Sequence, residues 1–187
     1  MKTLKNKIQR QILDTAEVLF YSQGYTNTTI NDILRTIGIA EETFYYHVHS
    51  QEEVMNAIVM RFIDNSLKAA EVIASNPDIR LQEKIYQIII SQSQKEDRRE
   101  HLIEQLHSVN NAEMYQKSLV ETVLQLPSIL TEIIEEGVKK GMFKTKYPRE
   151  SVEFLLVASQ FLFDKGLFQW QPKEIAEKRR LSYRWSQ

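Results

Sequence analysis

Apolar side chains recur at helical spacing along most of the chain. In the first segment Ile8, Ile12, Ala16 and Leu19 lie three or four residues apart, which predicts a helix from about residue 5 to residue 22. The same spacing predicts further helices at about 30–37, 41–47, 51–74, 79–94, 97–108, 112–137 and 150–165, and a last one that opens at Pro172. No segment has the pattern of a strand, so the predicted fold class is all-α.

Two of these predicted helices begin at recognisable capping residues. Thr28 and Thr29 open the second helix, and Asp32 follows Thr29 at the distance of a reciprocal cap. Ser50 and Glu53 form the capping-box pattern, which places the start of the fourth helix at about residue 51. The boundaries of the N-terminal helices are therefore predicted by side chains that satisfy backbone N–H groups.

Composition agrees with a helical protein of ordinary solubility. The 187 residues include only five Gly and four Pro, and one of these, Pro127, is expected to kink or split the long helix that begins near Ala112. Cysteine is absent, so neither disulfides nor thiolate chemistry is available. The chain shows no signal-peptide pattern and no apolar run of about 20 residues, so we expect a cytoplasmic location and no membrane partner.

Residues 24–53 hold two short predicted helices separated by a turn at Gly38, which is the helix-turn-helix arrangement. Glycine suits that turn because it adopts positive φ without strain. Phe44 and Val48 are expected to hold the second helix of the motif in place. Its side chains that can reach phosphates and base edges are Thr43, Tyr45, Tyr46 and His47.

The charge distribution limits how much DNA surface the chain can offer. The formal net charge is −1, which by itself argues against a nucleic-acid partner. Lys2, Lys5, Lys7 and Arg10 nevertheless crowd the first ten residues, with no acid before Asp14. Any DNA surface is therefore predicted to be local, not a broad basic face.

The motif resembles the N-terminal domain of the TetR (tetracycline-repressor-like) family over roughly residues 8–62. The matching positions are Gly24-Tyr25, Thr28-Thr29, Asp32-Ile33, Gly38-Ile39, Thr43-Phe44-Tyr45, His47-Val48 and Ser50-Gln51-Glu52. So many spaced positions make the resemblance far more specific than a single short motif.

The resemblance implies a ligand-responsive transcriptional regulator, a repressor that binds a palindromic operator as a homodimer. Residues 1–50 would form the domain that binds double-stranded DNA, and residues 51–187 the helical domain that binds an unknown small organic molecule and dimerises. A helix at about 51–74 would link the two. Tyr45 and Thr29 would touch the DNA backbone. The full set of predicted DNA contacts is Thr28, Thr29, Glu42, Thr43, Tyr45, Tyr46, His47 and Gln51.

Four positions depart from the family pattern. Gln51 replaces a phosphate-contacting Lys, Glu42 replaces a common Gly, Ala40 replaces a capping Ser, and Leu34 replaces a small residue. Glu41 and Glu42 either accept bonds from cytosine amines or, more simply, favour the dipole of the third helix. These departures support an alternative function, a helical interaction or sensor module with weak or lost DNA binding.

The segment VEFLLVASQFLF at 152–163 is apolar nearly all round, which requires burial on two sides. One side can face the core of the chain, and the other then needs a partner, for which we predict an isologous homodimer. We assign dimerisation to the face with Val152, Leu155, Leu156 and Phe163. The other face carries Phe154, Val157, Phe161 and Leu162.

The C-terminal region also holds candidates for a ligand pocket, chosen because apolar side chains with a few polar groups suit a small organic molecule. These candidates are Tyr86, Ile90, His107, Met114, Tyr115 and Phe161. A dry packed core fits the same residues nearly as well. His101, Glu104 and His107 are the only cluster that resembles metal chemistry, and one copy is too few for a helix-bundle di-metal site. This cluster is the only support for a further alternative, an enzyme built on a helical bundle. We predict no catalytic residues, no metal and no cofactor.

Overall fold

The computed structural model describes residues 2–93, 112–164, 167–175 and 177–178, and at positions 2–6, 90, 92–93 and 112–114 it describes the backbone alone. The described residues form helices and connecting turns and contain no strand, which confirms the all-α prediction. The helices are α1 (Lys2–Gln23), α2 (Ile30–Ile37), α3 (Glu41–His47), α4 (Gln51–Ser75), α5 (Leu81–Ser93), α6 (Ala112–Lys139) and α7 (Pro148–Leu162). A short helical stretch begins at Pro172.

Most helix ends lie close to the predicted positions. The predicted bounds of α3 are reproduced, and α4 ends at Ser75, one residue after the predicted end. Pro127 does not split α6, which continues through it. Its side chain is buried beside Leu126, so packing holds the helix together where a backbone hydrogen bond is lost. The helix predicted at 97–108 lies outside the described residues.

The described residues form two compact units, and α4 and α6 each contribute to both. The first unit contains the chain up to Asp64 together with α6 up to Ser118, and the second contains the chain from Asn65 and from Leu119. The division thus lies inside α4, the helix that was predicted to link two domains. Among the described residues, no helix combines the length and apolar character needed to cross a membrane.

The first unit is built around the apolar stripes of its helices. Helix α1 packs against both α2 and α3. The buried side chains of this core are Ile12, Ala16, Phe20, Ile33, Phe44, Val48, Val54, Met55, Ile58 and Val59. All four helices contribute to this list, so the motif is held by apolar burial from both of its flanking helices.

The core of the second unit draws on α4, α5, α6 and α7. Its buried side chains are Ala70, Leu81, Ile88, Leu126, Leu130, Ile133 and Val152. Two close contacts support it. The ring of Phe143 lies directly against Gly137, leaving no room for a Cβ atom there. The buried Lys84 donates to the Ala74 carbonyl at 2.6 Å, which satisfies one of the unpaired carbonyls at the end of α4.

An aromatic cluster follows α7. Phe168 stacks on Trp170 with ring centroids 5.2 Å apart and meets Phe161 edge to face at 5.5 Å. The indole N–H of Trp170 donates to the Leu162 carbonyl at 2.7 Å, and the Lys178 ammonium lies 4.0 Å from the centroid of the Trp170 ring. The segment after α7 is therefore fixed to the end of that helix by stacking, a hydrogen bond and a cation–π contact.

Candidate nucleic-acid interface

The start of α2 is closed by a complete capping box. The Thr29 Oγ1 accepts from the Asp32 N–H at 3.1 Å, and the Asp32 carboxylate accepts from the Thr29 N–H at 2.9 Å. The Thr29 hydroxyl also donates to Asp32 Oδ2 at 2.7 Å. These bonds from Thr29 lower the pKa of Asp32 below its ordinary value, and the nearby Arg35 adds to the effect. The predicted reciprocal cap is confirmed.

The capping box also determines what Thr29 can offer to a phosphate. Its hydroxyl hydrogen already goes to Asp32, so donating to a phosphate oxygen would break that bond. Thr28 is fully buried, and its hydroxyl donates to the Gly24 carbonyl at 2.8 Å. Thr28 therefore stabilises the loop before α2 and is not placed to meet DNA.

The turn between α2 and α3 depends on Gly38. This residue has φ +76° and ψ +37°, and its N–H donates to the Leu34 carbonyl at 2.8 Å. Nothing lies within 4 Å of the position that a Cβ would take, so the glycine is needed for its backbone conformation and not for space. The turn fixes the direction in which α3 leaves α2.

Helix α3 divides into a buried face and an exposed face. Phe44 and Val48 are buried in the core of the first unit. Tyr46 is 65% exposed and Tyr45 is 41% exposed, and Glu42 lies one turn before them on the same face and is also exposed. The exposed face is therefore polar and aromatic and has the hydroxyl groups that can contact phosphates and base edges.

Two other predicted residues of α3 are less accessible. Thr43 and His47 are half-buried. The His47 Nδ1 is buried and has no hydrogen-bond partner among the described residues, while its ring meets Tyr46 edge to face at 5.2 Å. Ala40 gives α3 no side-chain cap, and Glu41 and Glu42 occupy the first turn, where they favour the helix dipole.

The start of α4 has a modified capping box and one long-range hydrogen bond. The Ser50 Oγ accepts from the Glu53 N–H at 3.0 Å, but the Glu53 carboxylate accepts from His49 N–H at 2.7 Å, one residue earlier than expected. The Gln51 Nε2 donates to the Tyr25 carbonyl at 2.7 Å. This bond ties α4 to the loop between α1 and α2. No local sequence pattern predicts it, because the two residues lie 26 positions apart in the chain.

The loop that accepts the Gln51 hydrogen bond is held in place by the packing of Tyr25. Its ring packs edge to face on Phe20 at 5.2 Å between centroids and lies against the core of the first unit. Partial burial raises the pKa of the Tyr25 phenol, and the charge of Glu52 raises it further. The loop that receives the Gln51 bond is thus itself held by the core.

The described ligand candidates belong to both units. Tyr115 packs against the core of the first unit, whereas Tyr86 and Phe161 belong to the second unit and are well exposed. His107 and the side chains of Ile90 and Met114 lie outside the described residues, as do His101 and Glu104. No group of three or more potential metal ligands occurs in the part of the chain that the structure describes.

The structure revises the assignment of faces on α7. Val152 is buried in the core of the second unit, so its side chain is not available to a dimer surface, and Leu156 is partly buried against the same core. Phe163 is half-buried and Leu155 is well exposed. The exposed apolar side chains of α7 are Phe154, Leu155, Val157 and Phe161. Sequence periodicity identified two apolar faces but could not tell which one meets the core.

A glycine turn that presents an exposed polar face on a short second helix defines a helix-turn-helix DNA-binding protein. Comparison with known families makes the assignment specific. Residues 12–58 match the family described as bacterial regulatory proteins, tetR family, and residues 92–182 match the tetracyclin repressor-like C-terminal domain. The chain belongs to the TetR family of transcriptional regulators, whose members are DNA-binding proteins and not enzymes.

Individual relatives agree with this family. The chain is 26% identical over 147 residues to the HTH-type transcriptional repressor KstR2 of Rhodococcus jostii, covering 75% of this chain and 70% of that protein. It is 40% identical over 60 residues to an HTH-type transcriptional regulator in the lacX 3′ region of Lactococcus lactis, spanning 29% of that relative and 32% of this chain. A TetR/AcrR-family regulator from Thermobifida fusca has the same fold, with a TM-score of 0.63, 22% identity and coverage of 92% and 93% of the two chains.

Proposed function

We propose that this regulator is a ligand-responsive repressor that binds a palindromic operator as a homodimer in the cytoplasm. The observation that carries the DNA-binding part is the exposed face of α3, where Glu42, Tyr45 and Tyr46 lie together above a buried anchor, Phe44. A short helix with this division of faces fits the major groove and presents side chains to base edges.

Within this proposal the contacts divide into two kinds. Tyr46, the more exposed tyrosine, reads base edges, while Tyr45 and Thr43 contact the DNA backbone. Thr29 contributes the N-terminus of α2 and not its hydroxyl, because that hydroxyl is bonded to Asp32. Gln51 has two amide hydrogens, and the bond to Tyr25 leaves one for a phosphate.

Dimerisation is proposed through the exposed face of α7. Phe154 is 76% exposed, and Leu155, Val157 and Phe161 extend the same apolar surface. The second unit exposes two further apolar side chains, Val120 and Leu124 of α6. Apolar surface of this extent is typical of an interface, and a closed dimer needs only one such patch on each copy.

The proposed response to a small organic molecule is supported by membership of the TetR family. A screen of hydrophobic compounds against the purified dimer would test it, using thermal stability and operator affinity as readouts. A compound that shifts both supports the response, and a broad screen in which neither changes contradicts it.

The DNA-binding part is tested by selecting sites from random duplexes with purified full-length protein. We expect an imperfect palindrome whose half-sites lie about one helical turn apart. Selection of no sequence, together with no shift of the DNA upstream of its own gene, would favour the alternative, an interaction or sensor module without DNA binding. The exposed acid Glu42 and the internal bond of Gln51 are the features that favour that alternative.

A further inference from the structure

Arg61 of α4 joins two carboxylates of α1 within the first unit. Its Nη1 lies 2.6 Å from Asp14 Oδ1, and its Nη2 lies 2.5 Å from Glu17 Oε2. The two acids are three residues apart, so they share one face of α1. The side chains of Arg61 and Glu17 are only 27% and 19% exposed, whereas Asp14 is 59% exposed. We call this arrangement the Arg61 clamp.

The clamp differs from the apolar contacts between α4 and the rest of its unit because hydrogen bonds and ion pairs of a guanidinium are directional. The buried side chains of α4, such as Met55 and Ile58, contribute apolar burial, which is non-directional. A guanidinium is a rigid planar fork, and two acceptors on its two nitrogens fix both the distance and the rotation of the partners. Partial burial of Arg61 and Glu17 protects the bond between them from the screening that weakens exposed ion pairs.

The position of the clamp along α4 gives it a specific consequence. Arg61 lies in the last turn of α4 that belongs to the first unit, which ends at Asp64, while the helix continues to Ser75 in the second unit. Gln51 fastens the first turn of α4 to the Tyr25 loop. The segment from Gln51 to Arg61 is therefore fixed at both ends to the unit that carries α3.

We propose that Arg61 is a positioning residue that fixes the orientation of α4 on α1 and thereby makes the regulator strict about the spacing of its two half-sites. The inference rests on the proposed function. In a dimer, the distance between the two copies of α3 is transmitted through α4, so a rotation of α4 on α1 changes that distance. Without the clamp, the dimer loses its preference for operators with the selected spacing over operators with altered spacing.

The experiment compares the affinities of full-length variants for a set of palindromes in which the half-site spacing is the selected one or differs by one or two base pairs. The test variants are Arg61→Gln, which removes the charge, and Arg61→Lys, which keeps the charge but lacks the fork. Arg149→Gln is the matched control, because Arg149 pairs with Glu153 inside α7 in a surface ion pair. Circular dichroism confirms that each variant is folded.

We expect wild type and Arg149→Gln to prefer the selected spacing and both Arg61 variants to lose that preference by roughly tenfold, with a smaller change in affinity for the selected operator. The double variant Asp14→Asn, Glu17→Gln replaces both acceptors by neutral groups of the same shape and should behave like Arg61→Gln. It also provides the test if Arg61→Gln does not fold. If the ion pair only stabilises the fold, the variants that remove it will have lower thermal stability but an unchanged spacing preference.

Each outcome decides a different question. If wild type binds the selected DNA and the clamp variants keep the wild-type spacing preference, the proposed role of Arg61 is wrong and the proposed function stands. Wild type that binds no DNA overturns the proposed function and the spacing role with it. Loss of preference in Arg149→Gln as well shows a general effect of arginine removal and overturns the inference.

Discussion

The side-chain amide of Gln51 donates a hydrogen bond of 2.7 Å to the backbone carbonyl of Tyr25. This bond connects the first residue of α4 with the loop that leads into α2, so it contributes to the position of the motif as well as to the surface beside it. The position that carries a phosphate-binding Lys in the family pattern therefore has an internal partner in this chain. Two substitutions at Gln51 separate the internal role from the proposed phosphate contact.

Gln51→Lys adds a positive charge at the proposed phosphate contact. We expect similar tightening on operator and random DNA, and a plot of log affinity against log salt that is steeper by about one unit per half-site. Gln51→Met has a similar length but no donor, so it should lower the free energy of unfolding by about 1 kcal/mol and leave the salt slope unchanged. Affinity and slope that stay the same in Gln51→Lys would show that the start of α4 does not meet the DNA backbone.

Tyr46→Ala tests whether α3 reads bases. We expect operator affinity to fall by roughly tenfold and affinity for random DNA to change much less, as for the loss of one base contact. Tyr147→Ala is the matched control, because Tyr147 is also 65% exposed but lies before α7 in the second unit. Equal loss on operator and random DNA would assign Tyr46 to the DNA backbone instead.

The acid dependence of the α2 cap follows from the lowered pKa of Asp32. A carboxyl whose pKa is lower in the folded state contributes stability above its unfolded value of 3.8, and that stability is lost as the pH falls through the folded pKa. Thr29→Ala should move the Asp32 pKa upward toward 3.8 in an NMR titration. Thr36→Ala is the control, because the Thr36 hydroxyl bonds the Asp32 backbone carbonyl and not its carboxylate. If the Asp32 pKa is the same in Thr29→Ala as in wild type, the bonds from Thr29 are not what lowers it.

Gly137→Ala tests the contact with Phe143. The new methyl group would overlap the ring, which costs more than the gain of about 1 kcal/mol from replacing a helical glycine. We expect the free energy of unfolding to fall by about 1–2 kcal/mol, as in other overpacked cores. In a Phe143→Ala background the same change should be neutral or stabilising. A destabilisation of equal size in both backgrounds would mean that the ring is not responsible.

The revised face of α7 predicts which substitution breaks the dimer. Phe154→Glu places a charge on the exposed apolar surface and should convert a dimer into a monomer in light scattering at micromolar concentration. Val72→Glu is the control, since Val72 is exposed on α4 and not on α7. If Phe154→Glu remains a dimer, the interface lies elsewhere.

The sequence predicted what local chemistry determines. The Thr29 cap, the Gly38 turn and the bounds of α3 depend on residues only a few positions apart, and each appears as predicted. The burial of Thr28, the Gln51 bond and the Arg61 clamp depend on packing between helices that are distant in the chain. Periodicity shows that α7 has two apolar faces, but only the packed core shows that Val152 lies on the inner one.

The cluster around Trp170 allows the end of α7 to be followed by intrinsic tryptophan fluorescence. An indole that is stacked on Phe168, lies beside an ammonium and donates its N–H to a carbonyl is held in one fixed electrostatic environment. The chain has two tryptophans, Trp170 and Trp185, so Trp185→Phe leaves a single tryptophan. Its ring stacks on Phe168, which in turn meets Phe161 of the exposed α7 face. Its emission wavelength and anisotropy can then follow subunit association as it happens, without any attached dye.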